Sequence, residues 1–269
     1  MTASVDPAAT PGPPRRTLAQ RAPDILVWGG VVVLLALSFG PVEMSKVSLL
    51  FSNSQNMRTF AHDLLRPDFT YWKLYVAQMW LTVQIALWGT GLAVILAIPF
   101  GLACARNVAP AWVQQPMRML MNLMRSIPDL VVGMLFLVVV GLGPLAGVLA
   151  IALNTGAVLA KLFSEAVESI DKGPVEGVRA TGALRIQEIG WGVIPQVAPL
   201  WTSYGLYRLE SNARSATVLG LIGAGGIGQT LFETLNSFSY SQVSAIVLVI
   251  VVAVSLIDFL SQAIRSRLL

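Results

Sequence analysis

Five stretches of this chain contain no Asp, Glu, Lys or Arg: 25–42, 76–103, 130–160, 189–207 and 234–257. Each is near or above the roughly 20 residues that carry a helix across a bilayer. The third is too long for one crossing, and Gly141-Leu142-Gly143-Pro144 breaks it in two. A helix from about Trp112 leads into its first half, so the expected fold is an all-α integral membrane protein with about six spans. Composition agrees: hydrophobic residues make up 55% of the 269, charged residues 12%, and mean hydropathy is +0.70. A soluble domain is excluded on that balance.

Lys and Arg give the expected orientation. Arg15, Arg16 and Arg21 precede the first span, Arg106 and Arg118 follow the second, Lys161, Lys172, Arg179 and Arg185 follow the fourth, and Arg265 and Arg267 end the sequence. These alternate segments hold eleven of the eighteen basic residues. The opposite side holds mainly Lys46, Arg58, Arg66 and Lys73, so both termini are expected in the cytoplasm. The same asymmetry accounts for most of the net charge of +4 and the pI near 9.5, which implies no nucleic-acid partner. The lone cysteine, Cys104, forms no intrachain disulfide and is expected to be packing. His62, the one histidine, has no cysteine or second histidine beside it, so no metal site is expected.

Residues 1–22 are rich in Pro and poor in large apolar side chains, and are expected to form a disordered cytoplasmic tail. The first span could alternatively be a cleaved signal peptide, although five further spans follow it. Residues 23–75 are read as the first helix and an outer interfacial segment, in which Phe69, Tyr71 and Trp72 suit a membrane surface. Residues 76–265 are read as the core. Pro99, Pro128, Pro195 and Pro199 fall inside or at the ends of spans, where proline frees a carbonyl and bends the helix.

The most specific pattern lies in residues 172–192 and just beyond. Gly173-Pro174 makes a turn, Glu176 begins a short helix, Gly182 permits a sharp change of direction, and Ala183–Gly190 form a second helix before Ile194-Pro195. The spacing resembles the EAA loop of binding-protein-dependent ABC importer permeases, with Glu176, Gly182 and Pro195 in register and Gly177 and Val178 replacing the two alanines. A second stretch, Tyr207–Gly220 and Ile222–Gly228, together with Val175–Ala183 and Ala105–Pro110, resembles the phosphonate-type permeases, relatives of the methionine-importer permeases. That resemblance covers about residues 76–265. Gly223-Ala224-Gly225-Gly226-Ile227-Gly228 also satisfies a dinucleotide-binding pattern and comes near a P-loop. Here no strand precedes it, Gln229 stands where the P-loop needs Lys, and no acidic residue follows at the required distance. Tight backbone packing is the expected role.

Charges within the spans carry more information, because lipid disfavours each of them strongly. At about 1.5 Å per residue, Arg125 lies roughly 18 Å from Val113 and Arg208 roughly 20 Å from Pro195, so both are expected at similar depth. Arg125 and Arg208 are candidates for the route of a small oxyanion, with Ser126, Ser211, Asn212 and Ser215 as neutral donors and Asp129 beside them. The competing expectation is a set of structural ion pairs, Glu210 with Arg214 and Arg125 with Asp129, each four residues apart. Asp258 is expected to pair with Arg265 or a neighbouring helix. Met117, Met119, Met121 and Met124 are expected as packing.

The resemblance implies a type I ABC importer permease in a bacterial inner membrane, with no enzymatic activity of its own. It implies a second permease copy, two cytoplasmic ATPase subunits that bind ATP and Mg, and a periplasmic or lipid-anchored binding protein, with no cofactor in this chain. Coupling to the ATPase would fall to Glu176, Gly177, Arg179, Ala180, Gly182, Ala183 and Arg185. The implied cargo is phosphonate or a related phosphorus oxyanion; a methionine or amino-acid permease is the nearest alternative. A passive anion channel would need no hairpin, and an intramembrane enzyme would need a catalytic set that Asp129 and Asp258, near opposite faces, do not make.

Overall fold

The computed structural model describes residues 18–52 and 54–268, and the chain divides into two compact units, up to Phe60 and from Ala61 onward. The first unit contains helix α1 (Leu18–Ser38), a 3-10 turn at Met44–Ser48 entered through a left-handed Glu43, α2 (Leu49–Ser52) and the start of α3 (Ser54–Leu64). The tail expected over 1–22 is therefore shortened: residues 18–22 are already helical, and residues 1–17, with Arg15 and Arg16, lie outside the described residues.

Among its described residues the regular structure of the second unit is all helical, with α4 (Trp72–Cys104), α5 (Ala111–Ser126), α6 (Asp129–Val140), α7 (Pro144–Glu168), α8 (Lys172–Ala180), α9 (Arg185–Gln187), α10 (Ile194–Leu219), α11 (Ile227–Asn236) and α12 (Tyr240–Leu268). Among the described residues three helices, α4, α7 and α12, are long and apolar enough to cross a membrane alone. Two bent pairs make up to five crossings: α5 with α6, at 89°, and Arg185–Ala224 with α11, at 57°. Among the described residues of α1 the apolar part is Leu26–Ser38, shorter than a full crossing.

The core is built on small residues. Ala86, Gly89, Ala93, Ala97 and Gly101 line one buried stripe of α4, and α7 lies close against it. A Cβ at Gly89 would sit 2.8 Å from Cβ of Ile151, and one at Gly101 2.8 Å from Cβ of Phe163. Small side chains let two membrane helices approach until their backbones nearly touch. Phe163 stacks on Trp201 of α10 with ring centroids 4.5 Å apart, bringing the third helix into the same cluster.

The breaks follow local chemistry. The one expected at 141–144 is present: α6 stops at Val140, Gly141 and Gly143 take positive φ, and Pro144 starts α7. Pro128 ends α5 by holding Ile127 extended and then opens α6, which is the origin of the 89° bend. The uncharged run at 189–207 is entered by a π-helical turn, Glu188–Val193, and α10 runs on to Leu219, carrying Arg208 through Arg214 as their spacing implied. One expectation is corrected. The last span begins at Tyr240, since Thr234 belongs to α11 and the chain turns at 237–239 through a left-handed Phe238.

The glycine-rich segment packs against α4. Thr82 Oγ1 accepts the Ile227 N–H at 2.9 Å, a Cβ at Gly226 would collide with that hydroxyl, and one at Gly228 would collide with the Thr217 carbonyl. Helices flank it on both sides, where the nucleotide pattern requires a strand.

Candidate functional site

Two features combine polar chemistry with precise placement: a polar layer halfway along α7, and the hairpin between α7 and α10. The layer is organised by Asn154 and Thr155. Asn154 Nδ2 donates to the Ile127 carbonyl at 3.1 Å and to Asp129 Oδ1, while Thr155 Oγ1 donates to Asn212 Oδ1 at 2.9 Å. Asn212 Nδ2 in turn donates to Thr90 Oγ1 at 2.8 Å, so one amide ties α10 to both α7 and α4. Asp129 Oδ2 accepts from Ser215 Oγ at 3.1 Å. Each buried polar atom in this group has a partner, as burial away from water requires.

All seven residues expected along the route lie in or next in sequence to this layer, Ser215 through its bond to Asp129. Arg125 and Ser126 immediately precede Ile127 and are exposed, Ser126 Oγ donating to the Leu123 carbonyl at 2.7 Å. Asp129 is the first residue of α6. Arg208 and Ser211, both partly exposed, lie within four residues of the buried Asn212. Arg208 feels the charge of Asp129, and its Nε is buried with no hydrogen-bond partner among the described residues. Arg208 thus approaches the layer from α10, whereas Arg125 stands exposed at the end of α5, before the bend. Because α5 and α6 meet at 89°, however, counting along a straight helix gives path length and not depth.

The expected Arg125–Asp129 pair is not made. The Pro128 bend removes the helical register on which a four-residue spacing depends, and Asp129 turns to Asn154 and Ser215. Glu210 and Arg214 do pair, at 3.2 Å, and the pair extends into a network: Arg214 reaches Asp258 at 3.6 Å and Arg265 reaches Glu210 at 3.5 Å, joining α10 to α12. Thr90, Asn154 and Thr155 were not singled out in the sequence; their signal was polarity inside uncharged runs, which a search for charges passes over.

The hairpin is a preformed object. Asp171 caps α8 by accepting the Gly173 N–H at 3.0 Å. Val175 and Val178 turn inward, leaving Glu176, Gly177, Arg179 and Ala180 on the exposed face. Gly182 has φ +81°, a left-handed conformation that closes α8, and its N–H reaches the Arg179 carbonyl at 3.0 Å. After the half-buried Ala183, α9 starts with the Leu184 N–H donating to Gln187 Oε1 at 2.8 Å. Arg179 then grips Glu188 through two bonds of 3.0 Å, a bidentate fork that closes the hairpin on itself. That bond holds the Arg179 guanidinium pKa above its usual value.

Two further contacts anchor the hairpin. Arg185 Nη2 donates to the Val108 carbonyl at 2.6 Å, linking α9 to the α4–α5 loop. Gln196 accepts the Asp171 N–H and donates to the Asp171 carbonyl, both at 3.2 Å, and also donates to the Gly192 carbonyl at 2.6 Å, pinning entry to exit. Leu184 and Ile186 point outward, 69% and 76% exposed. Replacing Glu188 with Gln should remove the charge from the fork and speed amide hydrogen exchange across 176–188 several-fold, with α4 and α7 unchanged; equal exchange would show that the fork does not order the hairpin.

Residues 97–268 match the family described as "Binding-protein-dependent transport system inner membrane component". The chain is 37% identical to the phosphite transport system permease protein PtxC of Stutzerimonas stutzeri, over 88% of this chain and 86% of that protein. It is 58% identical to a cryptic phosphonate transport system permease protein of Escherichia coli (strain K12), PhnE2, over 44% of this chain and 98% of that protein. Its fold is similar to a solved chain of the MetNI methionine ABC transporter in an inward-facing conformation, with a TM-score of 0.65 and 21% identity, covering 75% of this chain and 99% of that one.

Proposed function

Because this chain belongs to the family of binding-protein-dependent transport system inner membrane components, we propose that it is the permease subunit of an ATP-driven importer for phosphonate, phosphite or a related phosphorus oxyanion. The observation that supports the cargo assignment is the polar layer of Asn154, Thr155, Asn212 and Asp129, with Arg208, whose Nε is buried without a partner among the described residues, within the field of Asp129. A guanidinium presents several N–H donors in a fixed fork that suits a tetrahedral oxyanion. The names of PtxC and PhnE2 support the same class. The methionine alternative has weaker support, 28% identity to MetP of Bacillus subtilis (strain 168) over 54% of this chain and a structural likeness at 21% identity that speaks for the fold alone.

In this reading Arg125, Arg208, Ser126 and Ser211 meet the cargo, while Asn212 and Asp129 hold α10 and α6 in place around it. The hairpin end and both termini face the cytoplasm, in accord with the Lys and Arg asymmetry. ATP and Mg bind to a separate ATPase, which grips the exposed side of the hairpin: Glu176, Gly177, Arg179, Ala180, Gly182, Ala183 and Arg185, with Leu184 and Ile186 as apolar anchors. Two permeases pair so that two hairpins meet two ATPase subunits, the second permease being another copy or a related chain. A binding protein delivers cargo to the far end. When the ATPases close, the hairpins move together and swing the helices from inward to outward opening.

Vesicles holding the permease with its ATPase and binding protein should accumulate phosphite or methylphosphonate only when ATP is supplied, and methionine should not compete. Competition by methionine alone would overturn the cargo, and uptake without ATP would favour the channel.

A further inference from the structure

Helix α5 has two faces of opposite character. Met117, Met121 and Met124 pack into the core cluster with Phe163 and Trp201. The other face carries Gln115, Arg118, Asn122 and Arg125, spaced three, four and three residues apart, which places them in one stripe. Gln115, Asn122 and Arg125 are exposed.

This stripe enters the bundle and does not ride on its end. Arg118 reaches Glu168, the last residue of α7, at 2.6 Å, whereas the Ile127 carbonyl takes the amide of Asn154, fourteen residues earlier on the same helix. At about 1.5 Å per residue those two points on α7 are roughly 20 Å apart. Polar side chains at such depth are strongly unfavourable against hydrocarbon, so the stripe must face water or protein.

A groove of about 920 Å³ runs along it, lined by Arg106, Gln114, Gln115, Arg118, Met119 and Asn122 among others. Arg118 is fixed in place, its Nε donating to the Cys104 carbonyl at 2.8 Å and its Nη2 to Glu168. Arg106 also stands by Glu168, with Nε 4.0 Å away and its side chain 75% exposed. Arg106 and Arg118 thus stand beside one carboxylate, leaving a net positive surface, and Arg125 follows Asn122, the last lining residue, one turn further along α5. The groove adjoins the loop whose Val108 carbonyl is held by Arg185, so the hairpin is tied to its wall.

We propose that this groove is the water-filled exit half of the path, which takes the phosphorus oxyanion from the Arg125–Arg208 layer and releases it at the hairpin end. The assignment rests on the cargo reading above. Gln115 and Asn122 supply neutral donors, and Arg106 and Arg118 supply the charge.

The test uses the complete transporter with Cys104→Ala as parent, carrying Asn122→Cys or, as the control outside the groove, Leu123→Cys. Both are treated in vesicles with a charged, water-soluble thiol reagent. Asn122→Cys should react at least about tenfold faster than Leu123→Cys, because only an aqueous position offers the reactive thiolate, and phosphite or methylphosphonate should slow it. Equal, slow reaction at both positions would overturn the aqueous groove. Fast reaction unaffected by either anion, or slowed only when phosphatidylglycerol replaces phosphatidylcholine, would overturn the cargo site in favour of water alone or a lipid headgroup. Phosphite uptake by the parent is read in the same vesicles. No uptake there overturns the cargo reading and the cargo named here, whereas normal uptake without protection overturns the groove alone.

Discussion

Replacing Gly182 with Pro leaves the protein in the membrane but abolishes coupled transport. Gly182 sits at φ +81°, and proline is locked near −65°; its N–H, which closes α8 onto the Arg179 carbonyl, would also be lost. No heavy atom lies within 4 Å of a Cβ built there, so a Cβ clash adds nothing to these backbone effects. A penalty of about 3 kcal/mol would lower the share of correctly folded hairpins roughly a hundredfold. Gly182→Ala isolates the left-handed strain, about 1–2 kcal/mol, and should fall between at roughly five- to thirtyfold less uptake. Both should keep ATP hydrolysis while losing its link to uptake. The helical core, far from this exposed turn, should melt unchanged. Full transport by Gly182→Pro would remove the hairpin from the coupling path.

Arg208→Ala should depress uptake about ten- to hundredfold, the range expected when a charge-assisted hydrogen bond of about 1.5–3 kcal/mol is lost. Its side chain is only partly exposed, its Nε has no partner among the described residues, and it lies one turn from Asn212, whose own bonds hold α4, α7 and α10 together. Arg208→Lys should recover part of the activity, since lysine retains the charge and loses the fork. Arg125→Ala should act in the same direction. Measured beside uptake, the yield of assembled complex separates the roles: a structural arginine lowers both together, whereas one that meets cargo lowers uptake in complexes that assemble normally.

Much of this architecture could be read from residue order. Long uncharged runs marked the helices, Gly141–Pro144 marked a break, and the Glu210–Arg214 spacing named a pair that forms. The failures share a cause. Four-residue spacing implied an Arg125–Asp129 pair, yet Pro128 ends one helix and starts another, so the register did not carry through. The helical reading of Arg208, Glu210 and Arg214 held, but not the partners of the last two, since Asp258 and Arg265 of α12 come to them only in the folded chain. Asn212 was legible as a polar residue, but not as the bridge between Thr90 and Thr155, which are 122 and 57 residues away. Likewise the hairpin could be placed from Glu176, Gly182 and Pro195, while the Arg179–Glu188 fork exists only once the chain has turned at Gly182.

The most direct test is ATP hydrolysis by the permease reconstituted in lipid with its ATPase and binding protein, titrated with phosphite, methylphosphonate and methionine. Stimulation that saturates with a phosphorus oxyanion and is absent with methionine is the predicted result. Stimulation by methionine alone would contradict the cargo, and an ATPase that neither binds the permease nor responds to any of the three would contradict the coupled importer itself.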